Sequence, residues 1–205
     1  LKEGMVTSEA DRMRYYDIIL REVLRLSRLI NDQLELSRLQ SGTIAIEKKR
    51  MTLDDLVYDV CDRYANIAKE RGLELKVLTD FSDCPAVWAN ADRVEQMLIN
   101  LVENAIKYNN PGGYVDLITF ADPDGKTVGI TCKDNGIGIP EDQKPRVFER
   151  FFRVDKSRSK AIGGTGLGLS IVKHGALSHG AEISLESKEG EGTSITLRFP
   201  RVHEE

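Results

Sequence analysis

Asn100, Glu103, Asn104 and Lys107 recur at spacings of three, one and three, which on a helix sets them along one flank. An asparagine carbonyl ligates Mg²⁺ without adding charge, a lysine meets phosphate as a point charge, and a glutamate aligns or deprotonates an attacking group. The same four residues can also be read as a solvated helix flank with an asparagine near its C-terminus.

Two further segments complement them. Asp134-Asn135-Gly136-Ile137-Gly138-Ile139-Pro140 directly follows a strand pattern. Its glycines let the backbone turn closely around a ligand, and the Asp134 carboxylate can accept a hydrogen bond from an exocyclic amine such as adenine N6. A calcium loop is the competing idea, but the oxygen ligands and terminal Glu of such a loop are missing. Gly163-Gly164-Thr165-Gly166-Leu167-Gly168 then leads into a helix, where exposed N–H groups and the positive dipole end favour phosphate. No Gly-Lys-Ser/Thr closes this loop and no strand precedes it, so it is neither a P-loop nor a Rossmann turn. Together the three segments read as one site for ATP.

Between the last two, Lys144 to Lys160 holds seven Lys or Arg against Glu149 and Asp155. Val147-Phe148-Glu149-Arg150-Phe151-Phe152-Arg153 interleaves aromatics with charge. A nucleic-acid patch is one reading; a mobile cover over a polyphosphate, anchored by the phenylalanines, accounts for both the basicity and the glycines.

The elements that must position these groups follow from periodicity. Ser8 to Gly42 predicts a long helix whose apolar stripe, Ile19, Val23, Leu26, Ile30 and Leu34, is too wide to stay uncovered and calls for another helix, a partner subunit or the following domain. Gly42 is the expected stop, and Leu1 to Gly4 could be the last turn of an earlier helix. A second helix is expected over Thr52 to Arg71, capped at or near Thr52, and a third over Asp92 to about Tyr108, ended by Asn109-Asn110-Pro111-Gly112-Gly113. Strands are expected at Leu75 to Leu78, Tyr114 to Ala121 and Thr127 to Lys133, the last two joined by a turn at Asp122 to Gly125. A short helical piece near Gln143 to Phe151, a helix at Leu169 to Ser178 and a closing hairpin of Ala181 to Ser187 with Thr193 to Phe199 complete the pattern. Helices against a mixed or mainly antiparallel sheet result, not Rossmann repetition.

At 205 residues, 40% hydrophobic and 30% charged, the composition is that of a soluble globular chain with one compact domain and an appendage, or two small domains. A net charge of -4 argues against a general nucleic-acid binder. Cys61, Cys84 and Cys132 lack metal-ligand spacing and are expected to be reduced structural thiols. No apolar run approaches the ~20 residues that cross a bilayer. Leu1 is not an initiator methionine, so a piece of a longer protein is expected.

In this light the chain resembles the dimerisation and ATP-binding part of a bacterial sensor histidine kinase of two-component systems, with a catalytic domain of the GHKL ATPase superfamily. Asn100-Leu101-Val102-Glu103-Asn104-Ala105-Ile106-Lys107-Tyr108 is similar to that family's N box. Asp134 to Ile139 resembles its G1 box, Phe148 to Arg153 its F box, Gly164 to Leu169 its G2 box and Gly190 to Thr193 its last glycine motif. Leu36 to Gly42 resembles the end of its second dimerisation helix. The resemblance implies an α/β sandwich of the GHKL type, a mixed sheet packed on helices, preceded by a long dimerisation-type helix. Residues 1–42 would be the truncated helical segment and 43–205 the catalytic domain.

It also implies roles. Asn104 would be the principal Mg²⁺ ligand with Asn100 nearby, and Glu103 would polarise the attacking imidazole. Lys107 and Arg153 would approach phosphates, Tyr108 would pack beside adenine and Asp134 would bind its N6. Gly136, Gly138, Ile139, Gly164, Thr165, Gly166, Leu167 and Gly168 would line ATP, and about Asp155 to Gly164 would be the lid. The partners implied are a response-regulator receiver domain and, in the full protein, a second copy in a four-helix bundle. The full protein would sit at the cell membrane through parts outside these residues, leaving this segment soluble and cytoplasmic.

One departure stands out. The family's phosphoacceptor histidine, on the first dimerisation helix, has no counterpart: only His174, His179 and His203 occur. The first two are read as packing or solvent-facing residues and the third as inert, with the acceptor expected upstream of Leu1. A non-catalytic ATP-binding scaffold or another GHKL ATPase, such as an anti-sigma-factor kinase or a mismatch-repair or chaperone ATPase, remains the alternative. The long helix and the Phe148 to Arg153 motif speak against the second.

Overall fold

The structure, a computed structural model, describes residues 8–41, 47–79, 85–154 and 164–202. Gly42, Leu1 to Gly4, Cys84, His203 and nearly all of the expected lid lie outside the described residues.

Helix α1 (Glu9–Ser41) opens at Ser8, whose Oγ accepts from the Asp11 N–H at 3.1 Å, with Glu9 and Asp11 set against the positive dipole end. The expected stripe is not covered among the described residues; the contact is made by Leu29 beside it. Leu29 packs on Leu167 and Ile171, while Ile19, Val23, Leu26, Ile30 and Leu34 are exposed.

Strand β1 (Lys49–Met51) pairs antiparallel with β3 (Val87–Ala89), a two-stranded sheet that three-residue runs with exposed charges do not announce. Between them come α2 (Asp54–Glu70) and β2 (Glu74–Thr79). Thr52 does not cap α2. Leu53 occupies the cap position because its side chain is fully buried, and Asp54 and Asp55 compensate the dipole instead.

Helix α3 (Ala91–Lys107) starts where β3 ends. Asn90 Oδ1 accepts from the Arg93 N–H at 3.1 Å and Asn90 Nδ2 donates to the Glu47 carbonyl at 3.0 Å, so the small sheet and the cap fix the helix start together. Val94, Met97, Leu98, Leu101, Val102, Ala105 and Ile106 are buried, each larger aliphatic contributing about 1.5–3 kcal/mol.

Strands β4 (Tyr114–Ala121), β5 (Thr127–Asp134), β6 (Glu182–Lys188) and β7 (Gly192–Pro200) join β2 in one sheet of order β2-β4-β5-β7-β6. The β2–β4 pair is parallel, its crossover supplied by α3, and the others are antiparallel. The sheet is mixed, as expected. Register stacks Leu117 on Cys132, Cys132 on Ile195, Ile130 on Leu197 and Val128 on Phe199, all buried in one core with α2, α3 and α4 (Gly168–His179). Cys61 and Cys132 are buried free thiols. The helical piece expected at Gln143 to Phe151 is a 3₁₀ helix displaced to Glu141–Arg146, with Pro145 inside it.

His179 is a packing residue. Its Nε2 accepts from the Asn90 N–H at 3.1 Å and its Nδ1 donates to the Gly175 carbonyl at 2.7 Å; burial and the acceptor role of Nε2 favour the neutral ring, with the Gly175 bond opposing. His174 lies half-buried on the same helix.

Candidate nucleotide site

The flank of α3 lies along the glycine loop that precedes α4. A Cβ on Gly168 would stand 3.1 Å from Asn100 Oδ1, and one on Gly164 would stand 2.5 Å from Lys107 Nζ. Asn100 and Lys107 therefore meet the two ends of the loop, with Glu103 and Asn104 between them. Lys107 Nζ also lies 5.2 Å from the Tyr108 ring centroid. Burial, then the Arg153 charge, push the Lys107 ammonium down to about 8, with Glu103 opposing.

The segment from Val147 to Arg153 is tied to this loop through its backbone. The Phe151 N–H donates to the Gly166 carbonyl at 2.9 Å, and Gly166, at φ 74°, approaches the Phe151 backbone so closely that a Cβ would stand 2.9 Å from it. Phe151 itself has φ 60°, a left-handed conformation that bulky residues rarely adopt. The expectation that the phenylalanines anchor this segment is corrected in one respect. Phe152 is half-buried under the Arg146 guanidinium, 4.5 Å from its ring, but Phe151 is 58% exposed and held by its backbone bond.

On the other side, the loop after β5 is fastened to the end of α3. The Ile137 N–H donates to the Tyr108 carbonyl at 3.0 Å and the Gly136 N–H to Asp134 Oδ1 at 2.8 Å. Burial, opposed by N–H groups of Gly136 and Thr193, pushes the Asp134 carboxyl up to about 6. Gly138 and Ile139 face the β6–β7 hairpin: the Ile139 N–H donates to Ser187 Oγ at 2.9 Å, and a Cβ on Gly138, which has φ 65°, would overlap the Lys188 carbonyl. These two residues hold the loop against the hairpin.

Buried donors identify what the site is built for. Asn100 Nδ2 and Arg153 Nε and Nη2 are buried without a hydrogen-bond partner among the described residues. Unsatisfied donors beside Lys107 and a glycine loop at a helix N-terminus suit a polyanion. Among the described residues no three His, Cys, Asp or Glu side chains cluster as a metal site, so a cation here would rely on the amide oxygens of Asn104 and Asn100 and on the anion itself.

Two residues escape the sequence reading. Thr165 Oγ1 donates to Asp32 Oδ2 on α1 at 2.9 Å, and the Tyr64 hydroxyl on α2 donates to Glu103 Oε1 at 2.8 Å. Asp32 reads as polar helix surface and Tyr64 as part of an apolar face. The available signal for Asp32 is a carboxylate set three residues after the packed Leu29.

Comparison with known proteins gives the family. The chain belongs to the histidine kinase-, DNA gyrase B- and HSP90-like ATPase family, whose model matches residues 89–203. Its relatives are named sensor histidine kinases. It is 34% identical to the sensor histidine kinase WalK of Bacillus subtilis (strain 168) over 206 residues, covering 100% of this chain and 33% of WalK. Among solved structures, full-length ShkA in complex with AMPPNP superposes with TM-score 0.78 at 28% identity, covering 100% of this chain and 42% of ShkA. The histidine kinase ThkA in complex with the response regulator protein TrrA gives TM-score 0.76 at 25% identity, covering 98% and 54%. The chain thus spans between a third and about half of the curated relatives it matches. The fold is that of the GHKL-type ATPases, with a long helix ahead of it. Among the described residues no helix is long and apolar enough to cross a membrane.

Proposed function

We propose that this chain binds Mg-ATP and transfers its γ-phosphoryl group to a histidine carried outside these 205 residues, for relay to an aspartate of a response-regulator receiver domain. The observation that carries the reading is the set of buried, unpartnered donors of Asn100 and Arg153 beside Lys107 and the glycine loop. Lys107, Arg153 and the N–H groups of Gly164 to Gly168 hold the phosphates. Asp134 accepts the adenine amine, Tyr108 packs beside the base, and Gly136, Gly138 and Ile139 shape the loop beneath it. Asn104, with Asn100, would hold Mg²⁺, which when bound would neutralise charge on the phosphate oxygens.

Glu103 orients the acceptor imidazole by accepting a hydrogen bond from one ring nitrogen. The other nitrogen attacks the γ-phosphorus as the bond to the β,γ-bridging oxygen breaks, leaving ADP. Residues 1–42 serve as part of a helical dimerisation unit and 43–205 as the catalytic domain. In support, α1 already meets the catalytic domain through Leu29 and Asp32. The full protein acts as a membrane-associated homodimer.

Incubating the full-length protein with radiolabelled ATP and Mg²⁺ tests this reading. An acid-labile, alkali-stable label that passes to a receiver domain is the expected result. Bound ATP without any labelled histidine would favour the non-catalytic scaffold instead.

A further inference from the structure

Glu103 is an exposed side chain at the centre of the α3 flank, yet it is held from outside its own helix. Tyr64 projects from α2, its ring packed against the hydrophobic core, and its hydroxyl reaches Glu103 Oε1 at 2.8 Å across 39 residues of sequence. Burial first, then the bond to Glu103 and its charge, raise the Tyr64 phenol above its ordinary value, so it remains a protonated donor at every physiological pH. From α1, the Asp32 carboxylate acts on Glu103 as a like charge. The hydrogen bond offsets that repulsion, which otherwise spreads the rotamers of a long acid.

We propose that Tyr64 is a positioning residue for phosphoryl transfer: by engaging Oε1 it locks the Glu103 carboxylate so that Oε2 is presented to the acceptor. This rests on the reading of Glu103 as the group that orients the acceptor imidazole. Tyr64 lies on α2, apart from the groups assigned to the nucleotide, and meets the site through Glu103, so its loss should slow transfer without weakening ATP binding.

The test is single-turnover autophosphorylation of the full-length protein at saturating Mg-ATP, with ATP affinity measured in parallel, for wild type, Tyr64→Phe, Glu103→Gln and the double variant. Tyr64→Phe keeps the packed ring and removes only the hydroxyl. It is expected to lower the transfer rate about tenfold, the loss of one hydrogen bond to a charged group, while ATP affinity stays at the wild-type value. Glu103→Gln is expected to lose more, and the double variant to be no slower than Glu103→Gln alone. A wild-type rate in Tyr64→Phe, or losses that multiply in the double variant, overturns the proposal. Equal loss of rate and affinity in Tyr64→Phe overturns it too, since that marks a merely structural tyrosine. If Glu103→Gln transfers at the wild-type rate, the reading of Glu103 fails and takes this proposal with it; if only Tyr64→Phe is silent, the Glu103 reading survives.

Discussion

Thr165 in the glycine loop donates a 2.9 Å hydrogen bond to Asp32 on the long helix, joining residues 133 apart in sequence. Burial raises the Asp32 carboxyl above its ordinary range, the Thr165 bond opposes this, and the Glu103 charge adds to it. A carboxylate thus stands against the loop assigned to phosphate. Asp32→Asn keeps an oxygen acceptor for Thr165 and removes the charge, so it should tighten ATP binding about three- to tenfold at low salt, with the gain shrinking as salt rises. Unchanged affinity at low salt would show that Asp32 and the phosphates do not sense one another.

Asp134, proposed to accept the adenine amine, carries a pH dependence. Its carboxyl is held at about 6 in the folded chain against an ordinary 3.8, so the folded state binds that proton more tightly than the unfolded state. The stabilisation is full below about 3.8 and lost as pH rises through about 6. Asp134→Asn does not titrate, so its unfolding midpoint relative to wild type should improve between about pH 4 and pH 7.5 while its ATP affinity falls about tenfold or more. Midpoints that run parallel across this range would show that Asp134 does not take up its proton more readily in the folded chain.

Lys107 makes the complementary case. Its ammonium is pushed down to about 8, and phosphate beside it should restore the proton. Affinity is then fully present below about 8 and declines as pH rises through that value. Calorimetry near pH 8.5 in buffers of different ionisation enthalpy should register uptake of a fraction of a proton on ATP binding, abolished in Lys107→Met.

The glycines divide by what they touch. Gly138 combines φ 65° with direct approach to the Lys188 carbonyl, so Gly138→Ala should destabilise the fold by about 2–4 kcal/mol in denaturant titration. At Gly164 the neighbour is the flexible Lys107 amine. Gly164→Ala should spare stability and weaken ATP binding.

These pairs also mark how far the amino-acid order could be read. The apolar spacing of α3 sets its polar flank outward, so Asn100, Glu103, Asn104 and Lys107 were legible together, and the glycines flagged the loops that approach them. Strands β4 and β5 were equally legible, with alternation on either side of a turn. Leu53 displaced Thr52 from the helix cap because core burial outweighs a local cap, a tertiary effect without local signal. Strands β1 and β3 are three residues each and exist by pairing with one another. Asp32 and Tyr64 gained their partners only through packing of helices distant in sequence, α1 on the glycine loop and α2 on α3.

In the proposed function, three separate segments make one magnesium-dependent ATP site centred on Asn104. Titration of ATP into the chain by calorimetry, with and without Mg²⁺, for wild type and Asn104→Asp, tests it most directly. One-to-one saturable binding that Mg²⁺ strengthens, and that falls about tenfold or more in Asn104→Asp at unchanged unfolding midpoint, is the expected result. Absence of saturable binding, or equal Mg²⁺-dependent affinity in the variant, would contradict it.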